Sequence, residues 1–155
     1  MSLSPATLQQ IDAAIREYTH PRSALLAVLH LIQKERGHIA TEDELWVSHK
    51  LDIPPAEVAG VVTFYTMFRT RPAGRHHIQV CRTLSCQIRG CREVVAHLKK
   101  KLGIDEGGVT PDGRFSLITV ECLGSCGTAP MMQVNDDYHE NLTLERLDAL
   151  LDAMK

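Results

Sequence analysis

The chain has 155 residues, a formal charge of −2, 44% hydrophobic and 23% charged residues, the balance of a globular protein with one domain, or one domain and an extension. No basic stripe with interleaved aromatics occurs, which argues against nucleic acid, and no apolar stretch approaches the ~20 residues that span a bilayer. Met1–Ala6 lacks the charged and apolar regions of a secretory signal, so the expectation is a cytoplasmic protein, in which five cysteines read as ligands or redox groups rather than a disulfide framework.

The first half reads as four short helices. Leu8, Ile11, Ala14, Ile15 and Tyr18 recur every three or four residues, one face of a helix. Pro21 suits the start of a second, whose apolar face runs through Leu25, Leu26, Leu29, Ile32 and Gln33 to a stop at Gly37. Thr41-Glu42-Asp43-Glu44 matches a capping box and opens a third through Leu45, Val47, Ser48 and Leu51. After Pro54-Pro55, a fourth carries Val58, Val61, Val62, Tyr65 and Phe68. Short connections between short helices suggest a small bundle over residues 1–72. Phe64, Tyr65 and Phe68 near its end are helix-packing residues, with an interface anchor as the other reading.

Pro72-Ala73-Gly74 marks a boundary, and residues 73–155 change character. A strand is expected at about 76–81, a helix at 88–102, a solvated loop at 105–113 and a strand at 115–121. Met131–Val134 follows as a third strand, then a turn at Asn135-Asp136-Asp137, a short fourth strand at Tyr138–Glu140, and a helix with Leu144, Leu147, Leu150 and Leu151 on one face. The Asp136-Asp137 pair reads as turn chemistry rather than a cation site. The order is βαββα, and a strand–helix–strand unit makes the first two strands parallel.

Each of those two strands is followed by a cysteine pair, Cys81-x4-Cys86 and Cys122-x3-Cys126. Both pairs then lie at carboxyl ends of parallel strands, the usual place for a site in an open α/β sheet. Structural zinc prefers tighter Cys-x2-Cys knuckles. The looser spacing favours a wider two-iron centre held by four thiolates, with zinc and a redox dithiol as the open alternatives. Gly124, Gly127, Ser125 and Thr83 are small enough to let N–H groups approach sulfur, and Leu84, Leu123 and Ala129 would exclude water. Cys91 continues the spacing, and counting leaves open its replacing one ligand; a buried, small apolar role is preferred. His76-His77 reads as a pair of exposed strand residues.

Several strings then carry a resemblance: Glu121-Cys122-Leu123-Gly124-Ser125-Cys126-Gly127-Thr128-Ala129-Pro130-Met131-Met132-Gln133-Val134-Asn135-Asp136-Asp137-Tyr138, Gly60-Val61-Val62-Thr63-Phe64-Tyr65, Gly74-Arg75-His76 and Cys81-Arg82-Thr83-Leu84-Ser85-Cys86. In order and spacing they resemble the 24 kDa (E-type) [2Fe–2S] subunit of NADH:quinone oxidoreductase (complex I), a family that includes small subunits of NAD-linked formate dehydrogenases and hydrogenase diaphorase modules. The resemblance implies an α/β architecture, a helical bundle followed by a thioredoxin-like [2Fe–2S] ferredoxin domain. It implies one [2Fe–2S] cluster on Cys81, Cys86, Cys122 and Cys126, with no catalytic side chain here. It places FMN and NADH on a partner flavoprotein of the 51 kDa type, alongside further iron–sulfur subunits, in the cytoplasm or at the cytoplasmic face of the inner membrane, without direct membrane insertion. Gly127-Thr128 stands where Val-Asn is more usual, and Arg82 and Leu84 where smaller residues are. A cis peptide at Ala129–Pro130 is expected on the same fold analogy.

Overall fold

The computed structural model describes residues 3–154; Met1 and Ser2, on which the reading of the N-terminus partly rests, and Lys155 lie outside the described residues. Two compact units divide the chain, Met1–Pro72 and Ala73–Lys155.

The first unit holds α1 (Pro5–Arg16), α2 (Leu25–Arg36), α3 (Thr41–Leu51) and α4 (Pro55–Phe64), with a 3-10 turn at Pro21–Ala24 before α2. Ser4 caps α1 by accepting from the Thr7 N–H, and Gly37 ends α2 in the left-handed conformation. The core is aliphatic: Ile11, Val28, Leu29, Ile32, Val47 and Val58 are fully enclosed, each contributing on the order of 1.5–3 kcal/mol of transfer free energy. Polar groups close the unit. Gln33 donates to the Met67 carbonyl at 2.8 Å and accepts from the Arg69 N–H at 2.7 Å, so a buried amide on the otherwise apolar face of α2 pins the segment after α4.

Three expectations shift here. The α3 cap is Ala40, not Thr41; Asp43 reaches back to the Ala40 N–H at 2.9 Å, so half of a capping box forms, and an alanine side chain cannot supply the other half. Helix α4 stops at Phe64, because Tyr65 is extended. Phe68 therefore turns inward from outside the helix against His30, while Phe64 stands 76% exposed. Helix α1 likewise ends before Tyr18, which is exposed.

The second unit is built on a four-stranded sheet of order β2-β1-β3-β4, with β1 His76–Cys81, β2 Phe115–Val120, β3 Met132–Val134 and β4 Asp137–His139. β1 and β2 are parallel, from His76 opposite Phe115 to Cys81 opposite Val120; β1–β3 and β3–β4 are antiparallel. Ile78, Val80, Phe115, Leu117, Met132 and Val134 share one core, and α6 (Cys91–Leu102) and α7 (Leu144–Ala153) close over it with Val94, Leu98, Leu147 and Leu151. The expected helix over 88–102 is α6, which begins later, at Cys91; a separate short helix, α5 (Leu84–Ile88), precedes it, and Gly90 at φ +95° divides the two. That break puts Cys91 at the first residue of α6 rather than inside a longer helix. His77 is buried, with its Nδ1 2.8 Å from the Ser116 hydroxyl, so only the half-exposed His76 approaches the surface role expected of both. Ala129–Pro130 is cis, as expected. Among the described residues no helix is long and apolar enough to cross a membrane.

Candidate metal centre

Cys81 is the last residue of β1, and Cys122 follows the end of β2 by two residues. Parallel pairing brings both to the same carboxyl end of the sheet. The Arg82 N–H bonds the Val120 carbonyl at 3.0 Å, and the Arg82 guanidinium pairs with Glu121 at 2.7 Å, so the two cysteine loops are joined at their roots. Cys86 sits in the single turn of α5, and Cys126 opens a 3-10 turn over Cys126–Thr128. Cys81 and Cys86 are buried, whereas Cys122 and Cys126 are exposed. No disulfide joins any of them.

The thiols stand as two pairs. The Cys122 and Cys126 sulfurs are 3.5 Å apart, and hydrogen bonding between Cys81 and Cys86 is among the causes that shift both of their thiols. Two thiolates held about 2.3 Å from one tetrahedral ion lie roughly 3.7 Å apart, so the Cys122–Cys126 spacing suits a shared metal. Among the described residues no three His, Cys, Asp or Glu side chains close around a single metal-sized point. Two all-sulfur pairs side by side fit a binuclear iron centre, one pair to each iron.

The electrostatics differ within each pair. Burial opposes ionisation of Cys81, but the Thr83 hydroxyl and the Thr83 and Leu123 N–H groups outweigh it and hold this thiol below the usual cysteine range. Burial, then the hydrogen bond with Cys81, pushes Cys86 up to about 11. The Gly124 N–H, 3.3 Å from the Cys122 sulfur, is the main cause that lowers Cys122, while the hydrogen bond with Cys122 raises Cys126. Each pair thus sets one thiol held below the usual cysteine range beside one held above it, and a bound cation would favour the thiolate of both.

Other residues fall less evenly. Cys91 is buried with Cys81, Cys86, Ala129 and Met131, and its sulfur lies 3.2 Å from the Gln87 side-chain amide. It therefore packs against the centre as a small apolar residue. Ala129 is buried and Leu123 partly so, but Leu84 is 74% exposed and shields nothing. A cleft of about 460 Å3 opens beside Cys91, between α6 and β2. Three cations line it: Arg82 and Lys99, paired with Glu121 and Asp105, and Arg92. Sequence reading credits Thr83 only with being small. In the structure its hydroxyl lies 3.3 Å from the Cys81 sulfur, and hydrogen bonding from Thr83 and Ser85 acts to lower Cys122 and Cys126 respectively; the one signal for this in the sequence is their position beside the cysteines.

The comparisons with known proteins agree with that geometry. The family model for the thioredoxin-like [2Fe-2S] ferredoxin matches residues 11–155. The E 2 subunit of NADH-quinone oxidoreductase from Rhizobium meliloti (strain 1021) is 46% identical over 147 residues, 95% of this chain and 88% of that one. The corresponding E-type subunit from Escherichia coli (strain K12) is 38% identical over 153 residues, 99% of this chain and 92% of that one. A crystal structure of an NAD+-reducing [NiFe]-hydrogenase in the air-oxidized state superposes with a TM-score of 0.71 at 28% identity, covering 84% of this chain. This chain spans about a fifth (22%) of that hydrogenase chain. The chain belongs to the thioredoxin-like [2Fe-2S] ferredoxin family.

Proposed function

We propose that this chain is an electron-transfer subunit of an NADH:quinone oxidoreductase, holding one [2Fe–2S] cluster on Cys81, Cys86, Cys122 and Cys126. The observation that carries the reading is the meeting of two thiol pairs at the carboxyl ends of adjacent parallel strands. Bound there, the cluster supplies storage and release of one electron at a time. The chain's own part is to deliver four thiolates, to donate to sulfur from Thr83 and Gly124, and to exclude water on the side of Ala129 and Met131. These are the levers by which a protein sets such a centre's potential.

On this reading NADH and FMN are handled by a larger partner flavoprotein of the 51 kDa type, and electrons exchange between that flavin and this chain, with further iron–sulfur subunits beyond. Relatives at 38–46% identity that are named as E-type subunits of NADH-quinone oxidoreductase favour the quinone-linked complex. The hydrogenase superposition supports an equivalent role in a soluble NAD-linked hydrogenase as the second reading. In the quinone-linked complex the chain is a peripheral component, carried at the cytoplasmic face through its partners; in the soluble assembly it is cytoplasmic.

The test is EPR of the anaerobically purified, dithionite-reduced protein, with iron and zinc quantified on the same sample. A rhombic S = 1/2 signal and about two irons per chain are expected. Serine at Cys81, Cys86, Cys122 or Cys126 should weaken or alter the signal, and Cys91→Ala should leave it intact. About one zinc, no iron and failed reconstitution with iron and sulfide would replace this reading with a structural zinc module. Loss of the signal in Cys91→Ala alone would overturn the ligand set.

A further inference from the structure

The loop carrying Cys122 and Cys126 has exposed thiols and little apolar cover, yet it must hold two sulfurs at a fixed spacing. Its support comes from the β3–β4 hairpin and the segment after it. The Tyr138 hydroxyl donates to the Leu123 carbonyl at 2.7 Å. Two residues on, the half-buried Glu140 takes both loop hydroxyls on one carboxylate oxygen, Thr128 at 2.6 Å and Ser125 in a very short contact. The Ser125 and Thr128 hydroxyls are themselves 2.6 Å apart. The backbone continues the attachment: the Asn141 N–H bonds the Thr128 carbonyl at 2.7 Å, and the Leu142 N–H bonds the Pro130 carbonyl at 3.0 Å. Glu140 itself is held, since Arg146 donates to its carbonyl at 2.7 Å.

Ser125 immediately precedes Cys126, and Thr128 closes the 3-10 turn that Cys126 opens. The Glu140 carboxylate therefore acts on both sides of that sulfur through two charge-assisted hydrogen bonds, which are stronger than neutral ones. We infer that Glu140 is a positioning residue of the centre, fixing the Cys122–Cys126 loop through Ser125 and Thr128 and setting a negative charge behind it. This inference rests on the cluster reading for its redox consequence and on the loop geometry alone for its structural one. The charge disfavours the added electron, so it lowers the reduction potential; the hydrogen bonds keep the loop closed whether or not a cluster is bound.

Two variants of the full chain separate these effects. Glu140→Gln keeps an oxygen that accepts from both hydroxyls and removes the charge; its potential, read by EPR-monitored redox titration, is expected to rise while the loop stays ordered. Glu140→Ala removes the acceptor. In the metal-free protein it should speed amide exchange over residues 122–128 roughly tenfold, the equivalent of one lost hydrogen bond to a charged group, with β1 and α6 unchanged. A Ser125→Ala, Thr128→Val double variant, with Glu140 intact, should reproduce that loosening. If exchange in both loosening variants matches the parent, the positioning role is wrong. If the parent binds a cluster and Glu140→Gln has the parent's potential, the electrostatic role is wrong. A parent chain that takes up no iron would instead sink the cluster reading, and the exchange measurement on metal-free protein still decides the positioning role.

Discussion

The Thr83 hydroxyl lies 3.3 Å from the Cys81 sulfur, although Thr83 occupies the N-cap position of α5, where a threonine ordinarily turns its oxygen onto the helix. Here the side chain makes no cap bond and turns to the sulfur instead. Hydrogen bonding from Thr83 is also among the causes that lower Cys122, so one residue bears on a thiol of each pair. The helix forgoes a cap that is typically worth about 1 kcal/mol, a cost tolerable in a turn fixed at both ends by other contacts.

Thr83→Val tests that effect. The substitution keeps the branched shape and removes the hydrogen-bond donor. Donors to sulfur stabilise the more negative, reduced centre, so the variant's potential should fall. A bond worth about 0.5–1.5 kcal/mol corresponds to roughly 20–60 mV for a one-electron couple. A redox titration of parent and variant reads it directly. An unchanged potential with an intact spectrum would mean that the hydroxyl has a packing role only.

Gly74→Ala should damage the second unit. Gly74 is buried, and a Cβ there would stand 2.3 Å from the Phe115 carbonyl carbon and 2.6 Å from the Ser116 nitrogen. Those are backbone atoms at the start of β2 and cannot step aside as a flexible side chain can. The neighbouring pairing, His76 N–H to the Arg114 carbonyl at 2.8 Å, would have to open. The expected loss is roughly 1–3 kcal/mol or more, seen as faster amide exchange in β1 and β2. Parent-like exchange in both strands would show that the crossing relaxes at no cost.

How much of this is legible in the sequence depends on where the determinant lies. Both cysteine pairs, the parallel β1–β2 unit and the α7 face with Leu147 and Leu151 buried follow from local pattern, and pattern is local by nature. The helix break at Gly90 escapes pattern reading because a lone glycine inside a helical run is tolerated at a cost of only ~1 kcal/mol. The burial of His77 escapes it because that burial depends on Ser116, 39 residues away. Glu140 and Tyr138 lie 12–15 residues beyond the loop groups they hold, a relation that only the hairpin return creates. Spacing brings candidate ligands to notice, because such residues cluster along the chain; the groups that hold their loops in place arrive from elsewhere in the fold.

In the first unit, Asp43 offers a probe of the bundle. It is fully buried; one oxygen is 2.8 Å from Arg36 and the other accepts from the Ala40 N–H. Arg36 is itself partly exposed and also pairs with Glu42 at 2.8 Å, so losing Asp43 does not strand it. Asp43→Ala should therefore cost about 1–3 kcal/mol, mostly from the orphaned cap and the cavity, less than breaking a fully enclosed pair. The single tryptophan, Trp46, packs against this core from α3, and its fluorescence during denaturant unfolding reports this unit. A midpoint equal to the parent's would show that the cap bond is replaceable by water.

The helices of the second unit are joined by charge, and this predicts a pH effect of definite sign. Asp148 on α7 lies 2.8 Å from the His97 ring and 2.9 Å from the Lys101 ammonium, both on α6, and Lys101 also meets Asp152 at 3.0 Å. The hydrogen bond from His97, then that from Lys101, hold the Asp148 carboxyl below the usual aspartate range. A carboxyl depressed in the folded state binds its proton more readily when unfolded. Its contribution to stability is therefore fully present above the unfolded value near 3.9 and is lost as pH falls through the lower folded value. The pairs are solvent-exposed, so the effect is modest and shrinks with salt. Thermal melts of parent and Asp148→Asn at low ionic strength should differ at about pH 6, the parent being more stable, and converge as the pH is taken below about 3. A difference that persists unchanged into acid would mean that Asp148 acts through packing or a neutral hydrogen bond, and not as the anion between His97 and Lys101.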